Sequence, residues 1–189
     1  MAAKENLDIL IVGVGGQGTL LASRVLGRYA LERGYDVKLS EVHGMAQRGG
    51  SVMTYVRMGS RVASPVIDEG GADLILAFEK LEALRYRHYL KEGGHILYST
   101  QEIMPMPVVT GAAAYPQGIE KELPGTGVDA LALALEAGNA KAANSVMLGA
   151  LCKKLGADRA AFEAALLACI PQKTVEMNKK AFDLGYAAV

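Results

Sequence analysis

The sequence predicts an α/β fold: a Rossmann-like, mostly parallel mixed sheet flanked by helices, with a helical C-terminal third. Three observations carry this reading. Apolar runs of strand length, Leu7 to Val12 and Ala72 to Phe78, stand among segments with helical spacing. The first run leads into the glycine-rich stretch Gly13-Val14-Gly15-Gly16-Gln17-Gly18, which is followed by apolar residues four apart at Leu21, Val25 and Tyr29. After Pro124 the chain turns into a succession of Ala- and Leu-rich segments.

The elements follow in order. Leu7 to Val12 reads as a strand buried on both faces. Thr19 to Arg33 reads as a helix, with Gly34 where a left-handed C-terminal residue belongs. Val37 to Ser40 is a second strand, so the opening predicts a βαβ unit with a right-handed crossover. A loop of small and polar residues, His43 to Ser51, comes next. Val52 to Met58 alternates as a strand does, and Gly59-Ser60 predicts a turn into a further strand at Arg61 to Ala63, an antiparallel excursion. Ala72 to Phe78 is a buried strand, Glu79 to Leu90 a helix stopped by Gly93-Gly94, and His95 to Ser99 another strand. The proline-rich stretch Met104 to Pro124 breaks regular structure. Four helices are predicted after it: Val128 to Glu136, Ala142 to Leu155, Arg159 to Ile170 and Gln172 to Leu184. A chain of 189 residues fits a single domain, 1–189.

Composition narrows the function. Hydrophobic residues at 51% and charged residues at 21% describe a chain that folds. A formal net charge of zero offers no basic surface for a phosphate backbone, and sparse aromatics without Trp offer no base-stacking platform, so a nucleic-acid partner is not expected. Cys152 and Cys169 lie 17 positions apart and outside any C-x-x-C pair, and the histidines at 43, 88 and 95 are scattered. No zinc or iron–sulfur ligand set is expected. No apolar run reaches spanning length and no secretory core follows the polar start, so the expected location is the cytoplasm, without a membrane partner.

The chemistry concentrates in two loops. Gly13, Gly15 and Gly18 form G-x-G-x-x-G between a strand and a helix, the context in which backbone amides and a helix N-terminus favour an anionic group near Thr19. Gly16 allows a turn open to few residues, and the Gln17 amide can donate and accept at the loop. The second loop, His43-Gly44-Met45-Ala46-Gln47-Arg48-Gly49-Gly50-Ser51, should lie beside the first at the carboxyl edge of the sheet. There Arg48 can grip a carboxylate or phosphate as a fork. The candidate ligand-binding residues are therefore Gly13, Gly15, Gly16, Gln17, Gly18, Thr19, His43, Gln47, Arg48, Gly49, Gly50 and Ser51. No catalytic arrangement and no metal site emerges. Glu41, 23 residues after Gly18, stands near the position of a ribose-binding acid, which keeps an NAD(P)-dependent dehydrogenase open. A structural subunit whose glycine loops merely pack on a partner is open as well.

The two loops together resemble the gamma-type subunit or domain of the 2-oxoacid:ferredoxin oxidoreductases. The residues concerned are Gly13 to Gly18 and Gly44 to Ser51, with Asn144-Ser145-Val146-Met147-Leu148-Gly149-Ala150, Asn178 to Phe182 and Gly185 matching in the same order. With Glu41-Val42-His43 ahead of the second loop, the chain is most similar to the indolepyruvate branch of that family. The resemblance implies a part in oxidative decarboxylation of an aryl 2-oxoacid, with coenzyme A as co-substrate and ferredoxin as electron acceptor. It also implies that thiamine diphosphate, Mg and 4Fe–4S clusters sit on a partner subunit, in a hetero-oligomer. The chain alone would then bind no cofactor and be inactive. Pyruvate, 2-oxoglutarate and branched-chain 2-oxoacids stay open as substrates.

Overall fold

The computed structural model describes residues 6–44 and 49–189. Six strands form one sheet in the order β2-β3-β1-β4-β5-β6. They are β1 (Leu7–Val14), β2 (Asp36–His43), β3 (Ser51–Gly59), β4 (Ala72–Ala77), β5 (Leu90–Ser99) and β6 (Gly125–Val128). From β1 to β6 neighbouring strands run parallel, whereas β3 is antiparallel to both β1 and β2. The mixed, mostly parallel α/β architecture is the predicted one.

Helix α1 (Thr19–Glu32) follows the first strand as expected. The unit it builds differs from a plain βαβ. β2 runs parallel to β1, but β3 is inserted between them and pairs with both, Val14 opposite Ser51 on one edge and His43 opposite Val52 on the other. That insertion also explains why Arg61 to Ala63 is not a strand: both edges of β3 are taken. Residues after Gly59 instead form a loop held by side chains. Val62 N–H donates to Asp36 Oδ2 (2.8 Å), and Arg57 forks onto Asp8 through Nε and Nη2, 2.9 Å each, while reaching the Val66 carbonyl.

The predicted helix at Glu79 to Leu90 is shorter, α2 (Lys80–Arg85) with a 3-10 turn at Arg87–Tyr89. Gly93 and Gly94 do not end it; they lie inside β5, where the register to β4 shifts between Ala72 and Leu74. The proline-rich stretch contains one turn of helix, α3 (Met106–Val109), and a 3-10 turn at Ile119–Glu122, and it leads into β6, a strand without a sequence signal. The last helices are α4 (Ala130–Ala137), α5 (Ala143–Lys154), α6 (Arg159–Leu167) and α7 (Val175–Ala187), within a few residues of their predicted bounds.

Strand alternation divides the core in two. Ile9, Ile11, Val56, Leu74, Leu76 and Leu97 face α1 and the four C-terminal helices, where Tyr29, Phe162 and Phe182 meet in sequence as tilted ring pairs with centroids 5.1 and 6.1 Å apart. Leu10, Val12, Ile75, Ala77 and Ile96 face the opposite way, onto Ala83 of α2 and onto Tyr115, Ile119 and Leu123 of the irregular stretch. The C-terminal helices are bound to each other at backbone range. Gly149 of α5 and Gly185 of α7 fit a mutual notch, and the buried Ser145 hydroxyl donates to Asn178 Oδ1 at 2.6 Å beside it. Most motif residues of the C-terminal part are thus packing residues; Asn144 is not, and Lys179 and Lys180 are exposed, pairing with Glu163 and with the Glu136 carbonyl.

Candidate functional site

The two glycine loops meet at the carboxyl edge of the sheet. Gly15 N–H donates to the Gly50 carbonyl at 2.8 Å, so the second loop does lie against the first. Gly16 and Gly18 have φ of +100° and +85°. Gly18 is the N-terminal cap of α1 and brings no side chain to that role, and the first turn holds no acid. The amides of Gly16, Gly18, Thr19 and Leu20 meet no acceptor among the described residues. An uncapped N-terminus of a fourteen-residue helix, preceded by a turn in which the Gly16 and Gly18 amides meet no acceptor among the described residues, is an anion-ready surface.

Gln17 is committed elsewhere. Its Oε1 accepts from Val14 N–H at 2.8 Å, and its Nε2 donates to the Phe78 carbonyl at 2.8 Å and to Gln101 Oε1 at 3.3 Å. The side chain turns into the protein and staples the loop to the ends of β4 and β5. Gly13 leaves room for it: a Cβ there would meet Gln17 Oε1 at 3.1 Å and Phe78 Cβ at 3.2 Å. Ser51 is engaged in the same way, its hydroxyl donating to Glu82 and lying 2.9 Å from the Tyr86 hydroxyl. Thr19 is buried, His43 is exposed with Nδ1 3.1 Å from the Gly44 carbonyl, and Gly49 has φ +74°. Gln47 and Arg48 lie outside the described residues.

Two cavities flank the first loop. One, about 360 Å³, lies toward β2 and is lined by Gly15, Gly16, Gly18, Thr19, Glu41 and His43. Glu41 accepts from Thr54 Oγ1 at 3.3 Å. The inserted β3 places its strand two spacings from β1, about 9.5 Å rather than the one spacing of a dinucleotide site. The other cavity, about 450 Å³, lies toward β5 and α5, with Gln17, Ser99, Gln101, Lys141 and Asn144 among its lining. Asn144 had no role assignable from sequence. Its side chain covers Gly18 so closely that a Cβ on Gly18 would fall 2.0 Å from Asn144 Nδ2. The only signal for it was its place at the head of the Asn144 to Ala150 motif.

The remaining chemistry is structural. Glu79 is almost fully buried, caps α2 through Glu82 N–H at 2.8 Å, and accepts from Ile103 N–H at 3.1 Å and the Tyr115 hydroxyl at 3.0 Å. Burial pushes its carboxyl up, and these donors oppose that. Burial pushes the Cys152 thiol up to about 11 and raises Cys169 as well, the opposite of what a thiolate ligand requires. No three His, Cys, Asp or Glu side chains gather as a metal group among the described residues, so the donor set of an iron–sulfur cluster is not found there. No helix among the described residues is long and apolar enough to cross a membrane.

Known proteins resemble this chain from end to end. Residues 8–188 match the family model described as pyruvate ferredoxin/flavodoxin oxidoreductase. Indolepyruvate oxidoreductase subunit IorB of Pyrococcus horikoshii is 45% identical, over 97% of this chain and 96% of its own length. The subunit of the same name from Thermococcus kodakarensis is 43% identical over the same shares. The crystal structure of the keto/oxoacid ferredoxin oxidoreductase gamma subunit from Geobacter sulfurreducens superimposes with a TM-score of 0.76 at 28% identity, covering 97% of this chain and 96% of that one. A correspondence that runs end to end at this identity leaves one conclusion: the chain belongs to the pyruvate ferredoxin/flavodoxin oxidoreductase family.

Proposed function

We propose that this chain, as one gamma-type domain, is the non-cofactor-bearing subunit of a 2-oxoacid:ferredoxin oxidoreductase that acts on indolepyruvate and related aryl 2-oxoacids in the cytoplasm. The observation that carries the reading is the end-to-end similarity to indolepyruvate oxidoreductase subunits. On this reading a larger partner subunit holds thiamine diphosphate, Mg and the iron–sulfur clusters. Those groups supply carbanion chemistry and electron transfer, coenzyme A accepts the acyl group, and ferredoxin accepts the electrons.

What this chain supplies is position and electrostatics. The amides of Gly16, Gly18, Thr19 and Leu20, which meet no acceptor among the described residues, sit at the positive end of α1, and the hydrogen bond from Gly15 N–H to the Gly50 carbonyl keeps the second loop beside them. We assign these loops, with Arg48, to the phosphates of coenzyme A at the mouth of the shared active site. Gly13, Gln17 and Ser51 support the loops from behind rather than reaching the ligand with their side chains.

Two measurements test this. Anaerobic capture of the tagged chain from its native cells should retain a larger chain that contains thiamine diphosphate and iron; a chain recovered alone overturns the assignment. In the assembled enzyme, Arg48→Ala should raise the KM for coenzyme A by about tenfold, the loss of one charge-assisted contact. Unchanged kinetics with normal assembly would sink the ligand role of the second loop.

A further inference from the structure

Behind the second glycine loop, on the side of the sheet away from α1, lies a cluster that ligand binding does not use. Glu82 of α2 is only 4% exposed. One of its carboxylate oxygens accepts from the Ser51 hydroxyl, and the other accepts from Arg85 Nε at 3.0 Å. The Tyr86 hydroxyl completes the group at 2.9 Å from Ser51 Oγ. The first turn of α2 is itself anchored, because the Glu82 amide donates to the buried Glu79 carboxylate. On the other side of Ser51 the chain runs directly into Gly50, whose carbonyl accepts from Gly15. A continuous path of hydrogen bonds and covalent bonds therefore links α2 to the first glycine loop through Ser51 and Gly50.

A charge is an expensive way to fill a buried site, since an apolar side chain of similar volume packs there without desolvation. The position of Glu82 makes sense for a different reason. The second loop has glycines at 49 and 50, and Gly49 has φ +74°, so its own backbone does little to fix its exit. A charge-assisted hydrogen bond to the first residue after those glycines fixes it from outside.

We propose that Glu82, supported by Tyr86, is a positioning residue: through Ser51 it holds the exit of the second glycine loop against the first, and so sets the affinity of the loop pair for its anionic ligand without touching that ligand. The inference rests on the assignment of the loops to coenzyme A phosphates. The tests are Glu82→Leu, Tyr86→Phe and Ser51→Ala in the enzyme assembled with its partner subunit, read by steady-state kinetics and by amide hydrogen exchange over residues 49–53. Glu82→Leu should raise the KM for coenzyme A by about tenfold with kcat within about twofold, and should accelerate exchange at residues 49–51. Tyr86→Phe should do the same to a smaller degree. Combined with Ser51→Ala, Glu82→Leu should add nothing further, because both act through one contact. Unchanged exchange in Glu82→Leu, or additive effects in the double variant, overturns the positioning role. Faster exchange with an unchanged KM overturns the link to the ligand, and Arg48→Ala then separates the causes. If Arg48→Ala raises the KM, the clasp is irrelevant to binding; if it does not, the loops do not bind coenzyme A. Should Glu82→Leu fail to assemble, Ser51→Ala and Tyr86→Phe carry the same readouts.

Discussion

Gly185→Ala is expected to cost about 3 kcal/mol of stability, at the upper end of what overpacking by a single methyl does in a close-packed interior. A Cβ at Gly185 would lie 1.9 Å from the Val146 carbonyl oxygen and 2.6 Å from its carbon. These are backbone atoms of α5, and no rotamer change relieves the clash. The reciprocal contact is as tight, a Cβ on Gly149 falling 2.0 Å from the Phe182 carbonyl oxygen. The two helices must part, and with them the packing of the fully buried Val146, Met147 and Phe182 against the sheet. At this chain length the melting temperature should drop by about 6–12 °C. Gly27→Ala is the informative contrast. Its Cβ would meet only Leu39 Cδ1, at 3.0 Å, the end of an exposed side chain that can turn away. Alanine is also the better helix former, so the net change there should be below about 1 kcal/mol. Thermal unfolding of both variants decides; similar losses would mean that the helix notch is not what the α5–α7 contact depends on.

Gln17→Leu is expected to be nearly as damaging, by a different route. The wild-type amide satisfies Val14 N–H and the Phe78 carbonyl at once. Leucine has a similar volume and leaves both backbone groups without a partner, at about 1–3 kcal/mol for each group that water cannot reach. The loop should loosen locally before the fold does, because the lost anchors lie at its base. Gln17→Glu separates the two halves of the staple: a carboxylate still accepts from Val14 but cannot donate to Phe78, and it places a charge against a carbonyl. We expect Gln17→Glu to fall between wild type and Gln17→Leu in denaturant midpoint. A Gln17→Leu protein as stable as wild type would show that the staple contributes nothing net.

The parts of the fold that were legible in the sequence are those specified locally. Leu7 to Val12, the glycine loop and α1 announce themselves through a short apolar run, three glycines and a four-residue period. The C-terminal helices do so through length and periodicity. What escaped is specified by partners distant in sequence. β3 enters between β1 and β2 because it has two edges to satisfy, a fact no window of sequence contains. β6 contains Gly125-Thr126-Gly127, a poor strand by propensity, and exists because the edge of β5 is available to it. Gly93-Gly94 looks like a helix terminus and is instead a register shift in a strand. The candidate site divides in the same way. Its place on the chain was readable from Gly13 to Gly18. The true employment of Gln17 was not, because its partners Phe78 and Gln101 are 61 and 84 residues away. Glu82 offered no signal at all, being one more helical glutamate until the fold brings Ser51 to it.

The insertion of β3 also dictates an order of events when the chain leaves the unfolded state. β2 and β3 are neighbours in sequence and can zip as a local hairpin, closing a short loop. β1 has no such local option: it must add to the free edge of that hairpin across more than one complete element, a non-local closure of the kind that slows folding. The glycine loop hangs from the end of β1 and acquires its shape only when that closure happens. Pulse-labelling exchange should therefore protect amides of β2 and β3 before those of β1, and protection of β1 first would contradict this order. A newly made chain passes through a stage in which the sheet has begun and the ligand surface has not, so competence for the ligand arrives with the last central strand rather than with the first residues synthesised.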